Sequence, residues 1–199
     1  LNNVTMLENC INMLIKLGVK KVFLNTFHLS DQIFEFIQKK SFSIEIKIID
    51  DGKTILDTGG GILNMINNSK ENNFLVLNPD TLWNEDYVKE IKKMESFYFL
   101  KKINCILLTA NKTLSFDNNL KGDFYFKDNL LKRNDSKNFI YIGCQILNRN
   151  LFKKYDINSF SITRVWNELL DKNELYGFES SNKFYHLTNF ETFKKLQDL

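Results

Sequence analysis

The sequence predicts an α/β protein whose mostly parallel sheet is covered by helices on both faces. Three observations carry that expectation. Short apolar runs alternate with segments of helical period through the first 114 residues, as in strand–helix–strand crossovers. Runs such as Val22-Phe23-Leu24 and Phe74-Leu75-Val76-Leu77 are continuously apolar, as strands buried on both faces are. Polar or glycine-bearing turns, Asp50-Asp51, Gly59-Gly60-Gly61 and Asn78-Pro79-Asp80, punctuate the pattern.

The elements follow in order. Thr5-Met6-Leu7-Glu8 reads as a capping box, with Thr5 bonding forward and Glu8 reaching back. Met6, Cys10, Met13, Leu14 and Leu17 then recur at helical spacing, and Gly18 supplies a left-handed stop. Lys21 to Asn25 is a short buried strand. Ser30 is expected to cap a second helix carrying Ile33, Phe34 and Ile37. Phe42, Ile44, Ile46 and Ile48 alternate as a strand. The three glycines form a turn, and a brief helix runs through Leu63 to Ile66. Phe74 to Leu77 is a strand, Glu85 to Met94 a helix and Cys105 to Leu108 a strand.

After about residue 115 the rhythm changes. Phe124 to Phe126, Leu130 to Lys132 and Phe139 to Leu147 read as strands of a smaller, mixed, lid-like sheet. A helix over Ser161 to Leu170 places Ile162, Val165, Trp166 and Leu169 on one face. Short strands near Leu175 to Phe178 and Phe184 to Leu187 precede a terminal helix ending at Leu199. The chain is thus read as one domain over 1–199, with parts 1–114 and 115–199.

Composition narrows the function classes. The 199 residues can bury enough apolar surface to fold without disulfides or a structural metal. With 27 basic against 24 acidic residues, intermixed along the chain, no basic stripe suited to nucleic acid arises. No apolar run approaches the roughly 18 residues of a membrane span. Cys10, Cys105 and Cys144 form no close pair and leave an odd thiol, which fits a reducing cytoplasm.

Two constellations could carry chemistry. Pro79 ends the strand before it and holds Asn78 extended, because proline donates no ladder hydrogen bond and restricts its predecessor. Asp80 then stands beyond a strand's carboxyl end, where open α/β sheets bind ligands. A carboxylate there suits Mg²⁺, which takes one or two protein carboxylates and completes its octahedron with phosphate and water. The alternative is that Asp80 caps the next helix through Thr81 or Asn84. In Asp57-Thr58-Gly59-Gly60-Gly61, glycines permit close backbone approach and leave amides free for an anion or a nucleotide edge. A plain surface turn is the competing reading. His28 reads as a loop residue and His186 as a structural histidine. Gly122-Asp123 and Gly143 mark bulges or a closely approaching ligand. The three thiols read as packing residues.

Taken in order, Leu56 to Ile62, Asn78 to Trp83, Gly122-Asp123-Phe124, Tyr141 to Leu147, Ser161 to Trp166, Leu175-Tyr176-Gly177 and Tyr185 to Thr188 resemble the sugar-1-phosphate nucleotidyltransferases. The resemblance is nearest to the N-acetylmuramate-1-phosphate uridylyltransferase and mannose-1-phosphate guanylyltransferase branches. It implies a Rossmann-like nucleotidyltransferase fold that joins a sugar 1-phosphate to a nucleoside triphosphate and releases pyrophosphate. UTP with N-acetylmuramate 1-phosphate is the first expectation, and GTP with mannose 1-phosphate the second. By the same resemblance Thr58, Gly59 and Gly60 hold the nucleotide, Asp80 binds Mg²⁺, and Asn78 and Asp123 contact the sugar phosphate. His186 stands where many relatives carry a second metal-binding Asp. Since hard cations prefer oxygen, it is expected to meet phosphate or a metal-bound water. The family's opening strand, glycine-rich loop and phosphate-binding lysine correspond to a point before Leu1, so the stretch by itself is expected to be inactive. Two rival readings are a non-catalytic paralogue that binds sugar nucleotides and a retaining glycosyltransferase that releases UDP.

Overall fold

The computed structural model of the chain describes residues 4–133, 136–187, 192 and 194. Helix α1 spans Met6–Leu17; Thr5 Oγ1 accepts the Glu8 amide at 3.1 Å and Gly18 closes the helix at φ 84°. Only half of the predicted capping box forms, because the Glu8 carboxylate pairs with Lys40 at 2.9 Å. Strand β1 (Lys21–Thr26) lies parallel to β2 (Glu45–Asp50), with α2 (Ser30–Lys40) between them in the chain. Ser30 does not cap α2: Leu29 takes that position in a left-handed conformation, and no side chain accepts there.

Helix α3 covers Asp57–Asn67, so the three glycines are helical and buried rather than a surface turn. Then come β3 (Asn73–Leu77), α4 (Asp86–Lys101) and β4 (Cys105–Asn111). Helix α4 runs beyond the expected Met94 because Tyr87, Ile91, Met94 and Tyr98 keep one face buried at three- and four-residue spacing. Strands β5 (Tyr125–Lys127), β6 (Leu130–Lys132) and β7 (Phe139–Asn148), helix α5 (Thr163–Asp171) and strand β8 (Tyr176–Ser180) complete the described elements. Phe184 and His186 make isolated bridges instead of a continuous strand. Thr188 and most of the expected terminal helix lie outside the described residues.

The main sheet has the order β3-β7-β4-β8-β6-β5, and β1 with β2 forms a separate parallel pair. In the main sheet β3, β4, β8 and β5 point one way, while β7 and β6 point the other. Most strands are thus co-directional, but β4–β8 is its one parallel pair among the described residues. Strand β7 runs antiparallel to both of its neighbours, β3 and β4. Phe139–Asn148 also sits between β3 and β4 rather than in a smaller sheet, leaving the β5–β6 hairpin at the edge.

The period of two along β4 divides the core. Ile106, Leu108 and Ala110 pack with Cys10 and Met13 of α1 and with Tyr87, Ile91, Met94 and Tyr98 of α4. Cys105 and Leu107 face Ile62, Leu63 and Ile66 of α3 and Val165, Trp166 and Leu169 of α5. Helices therefore cover both faces of the sheet, as the continuously apolar strands imply.

Candidate functional site

Directly beyond β3, the backbone is fastened to β7. The Asn78 amide donates to the Gly143 carbonyl at 2.7 Å, and Thr81 Oγ1 donates to the Ile142 carbonyl at 3.0 Å. The Trp83 indole donates to the Asn78 carbonyl at 2.9 Å. Gly143 makes this approach possible: at φ +88°, a Cβ there would sit 2.9 Å from Thr81 Oγ1 and 3.0 Å from Asn78 Cβ. Between Leu107 and Thr109 the β4–β7 register shifts, so the glycine marks an irregularity as well as a close contact.

Asp80 projects from this support. Its Oδ2 lies 3.0 Å from His186 Nε2, and its Oδ1 is buried without a hydrogen-bonding partner among the described residues. The two side chains are 47% and 27% exposed, so the pair opens to solvent on one side. An antiparallel bridge joins Thr81 to His186, flanked by Leu82 N donating to Tyr185 O at 3.0 Å and Leu187 N donating to Asp80 O at 2.9 Å. The buried Phe184 ring stacks on the imidazole at 5.7 Å and 15°. Asp80 does not cap α4; Asn84 Oδ1 accepts the Asp86 amide instead. Its carboxylate is felt inside the core, where burial first and Asp80 second push the Cys10 thiol up to about 12.

The glycine segment behaves differently from the expectation. The Gly59 and Gly60 amides both donate to the Phe160 carbonyl, at 2.8 and 3.2 Å, instead of facing solvent. A Cβ on Gly60 would lie 2.1 Å from the Asn158 carbonyl oxygen, and one on Gly59 would lie 2.4 Å from the Phe160 ring. Thr58 Oγ1 accepts the Ile162 amide at 2.9 Å, supplying the start of α5 with a partner. The three glycines therefore dock α3 on the segment before α5, and Asp57 and Thr58 are exposed at the start of the helix.

Asp123 is exposed, and its Oδ2 accepts the Tyr141 amide at 2.9 Å. Desolvation holds its carboxyl above the ordinary value, against the Tyr141 amide and Lys137, which lower it. Gly122 lets this strand-like segment close on its neighbour, since a Cβ there would meet the Lys137 carbonyl at 2.1 Å. His28 is exposed and all three thiols are buried.

Asn78, Asp80, Asp123 and His186 thus gather around residues 141–143 of β7. Thr58 reaches the same strand through α5: the Trp166 indole donates to Gln145 Oε1 at 3.1 Å and packs edge-on against Tyr141 at 4.8 Å. Sequence reasoning missed this buried Gln145–Trp166 contact, and also the Asp51 carboxylate, which Asn25 and Asn64 hold at 2.7 and 3.0 Å. The one signal for the second was Asp50-Asp51 at a strand's end, the position at which Asp80 was recognised.

Helices on both faces of a mixed sheet with a carboxylate beyond a strand's end make an α/β fold, and comparisons with known proteins find that fold in solved transferases. The chain is 20% identical over 189 residues to N-acetylmuramate alpha-1-phosphate uridylyltransferase of Caulobacter vibrioides, covering 92% of this chain and 78% of that protein. Among solved structures it superposes on HddC from Yersinia pseudotuberculosis (TM-score 0.72, 20% identity, 94% of this chain and 81% of the other). It likewise matches the inositol-1-phosphate CTP transferase from T. maritima (TM-score 0.75, 14% identity, 94% and 78%). A UDP-glucose pyrophosphorylase complexed with UDP-glucose aligns with a TM-score of 0.74 at 13% identity, over 97% and 85%. No family model matches the chain. No described helix is long and apolar enough to cross a membrane.

Proposed function

We propose that this protein is a sugar-1-phosphate nucleotidyltransferase. A phosphate oxygen of the sugar 1-phosphate attacks the α-phosphorus of a nucleoside triphosphate; the bond to the β-phosphate breaks and pyrophosphate leaves with its electrons. The first choice of substrates is N-acetylmuramate 1-phosphate with UTP, following the Caulobacter relative's name.

The observation that carries this reading is Asp80, held beyond β3 with a buried oxygen that no donor among the described residues satisfies. An orphaned carboxylate oxygen is costly unless a ligand engages it. One carboxylate fits a cation such as Mg²⁺ that keeps most of its shell for water and phosphates. When bound, such a cation offsets charge on the reacting phosphates. Asn78 and Asp123, fixed on the same stretch of β7, orient the sugar phosphate. The start of α3 receives the nucleotide: Thr58 borders the base and ribose, while Gly59 and Gly60 hold the helix against residues 158–160 and so set its position.

The test is pyrophosphate release by the product of the complete reading frame with UTP and N-acetylmuramate 1-phosphate. Asp80→Asn should reduce turnover by at least about 100-fold, the scale of losing one charge-stabilising group, while the thermal midpoint stays within a few degrees. Undiminished turnover in Asp80→Asn would remove the metal assignment. Saturable sugar-nucleotide binding without pyrophosphate release would replace the enzyme by a binding protein.

A further inference from the structure

From the Asp80–His186 pair we infer that the cation site prefers a borderline divalent ion of the Mn²⁺ or Co²⁺ class over Mg²⁺, with His186 Nε2 as a direct ligand beside Asp80 Oδ2. The inference rests on the reading of Asp80 as the cation ligand and adds the second donor and the ion it selects.

Asp80 Oδ2 and His186 Nε2 form an ion pair whose spacing is also that of two neighbouring ligands on one ion, so a cation bound there would take the place of the proton they share. Adjacent corners of an octahedron with bonds of about 2.1 Å are separated by about 3.0 Å. The observed Oδ2 to Nε2 separation is 3.0 Å. Both donors are set before any ion arrives. Their backbones are crosslinked by the Thr81–His186 bridge and its two flanking hydrogen bonds. The imidazole plane is fixed by the buried Phe184 ring, and the Asp80 segment is fastened to β7. Such preorganisation leaves little side-chain entropy to lose on binding.

Donor chemistry then selects the ion. Mg²⁺ demands oxygen and surrenders its water reluctantly, whereas imidazole suits the first-row transition ions, whose affinities rise from Mn²⁺ towards Cu²⁺. Among the described residues no group of three or more His, Cys, Asp or Glu forms a closed cage. Four octahedral positions therefore remain for water and substrate phosphates. That open arrangement belongs to a catalytic site, not to a structural one.

The chain's two histidines make the test simple. Mn²⁺ is titrated into the protein without nucleotide, followed by electron paramagnetic resonance of the free ion and proton NMR of the imidazole signals. Mn²⁺ should bind and broaden the His186 resonances, with the exposed His28 as the internal reference, and Mg²⁺ should displace it only in large excess. His186→Asp, which restores an all-oxygen pair, should lower the Mn²⁺-over-Mg²⁺ preference by about tenfold or more, the scale on which altered ligand support shifts metal affinity. His186→Asn serves as a second variant that introduces no new charge, and thermal melts verify folding of both. An unchanged preference in folded His186→Asp and His186→Asn overturns the inference while leaving Asp80 as ligand. Mn²⁺ binding that survives Asp80→Asn overturns the Asp80 reading as well. Absence of Mn²⁺ binding to the wild-type chain overturns direct ligation by His186.

Discussion

Replacing Gly60 by alanine separates the two roles a buried glycine can have. In a helix interior, Gly→Ala normally stabilises by about 1 kcal/mol, because alanine loses less backbone freedom. At Gly60 the new Cβ would land 2.1 Å from the Asn158 carbonyl oxygen and 3.1 Å from Leu56 Cβ. Ordinary carbon–oxygen contact needs more than 3 Å, so the 158–160 segment must retreat by about 1 Å, on the scale of a damaging overpacking. That retreat stretches both amide bonds to the Phe160 carbonyl, each worth about 1 kcal/mol. Overpacking of about 1–3 kcal/mol with partial loss of the two bonds outweighs the propensity gain. The net expectation is a loss of about 2–3 kcal/mol, or about 4–12 °C in thermal midpoint for a chain of this length. Urea unfolding followed by circular dichroism reads it directly. Gly52→Ala is the control, since φ there is +84° but nothing lies within 4 Å; it should cost only about 1 kcal/mol. A Gly60→Ala protein as stable as wild type, or less affected than Gly52→Ala, would refute the argument that these glycines exist for close docking of α3 on the 158–162 segment.

Other outcomes follow from the same contacts. Thr58→Val keeps the shape but removes the acceptor for the Ile162 amide; it should destabilise by about 1 kcal/mol, and an unchanged midpoint would show that water replaces the hydroxyl at no cost. Gln145→Leu leaves the buried Trp166 indole N–H unpaired, so a loss of about 1–3 kcal/mol is expected in urea unfolding. The Cys10 thiol, raised from 9.0 to about 12 mainly by burial, contributes stability that is complete below pH 9 and falls as pH rises towards 12, because the unfolded thiol ionises first. That single group steepens the alkaline decline by up to about 1.4 kcal/mol per pH unit. Between pH 8 and pH 10.5, Cys10→Ala should therefore lose less stability than wild type; equal slopes would mean that Cys10 is not desolvated.

Alternation of apolar runs with helical periods was enough to announce an α/β chain, since burying a strand on both faces leaves an unmistakable composition. Thr5 and Gly18 were readable as helix ends because capping involves only neighbours in the chain. Asp80 was legible for a similar reason: Pro79 fixes the backbone before it, whatever the rest of the fold does. Ser30 misled, because the preceding Leu29 enters the left-handed region and turns the chain away from the capping geometry.

What sequence could not decide was everything that depends on which segments meet. The direction of β7 and its place between β3 and β4 are set by its pairing with those two distant segments, not by its own composition. The glycines read as a turn with free amides and are instead helical, with the Gly59 and Gly60 amides taken by the Phe160 carbonyl and their open faces filled by residues 158–160. That His186 meets Asp80 was not readable from its neighbours in the chain; the bridge to Thr81 brings the two side chains together. Local chemistry is written along the chain within a few residues, whereas a contact between distant segments is chosen by the packing of the whole.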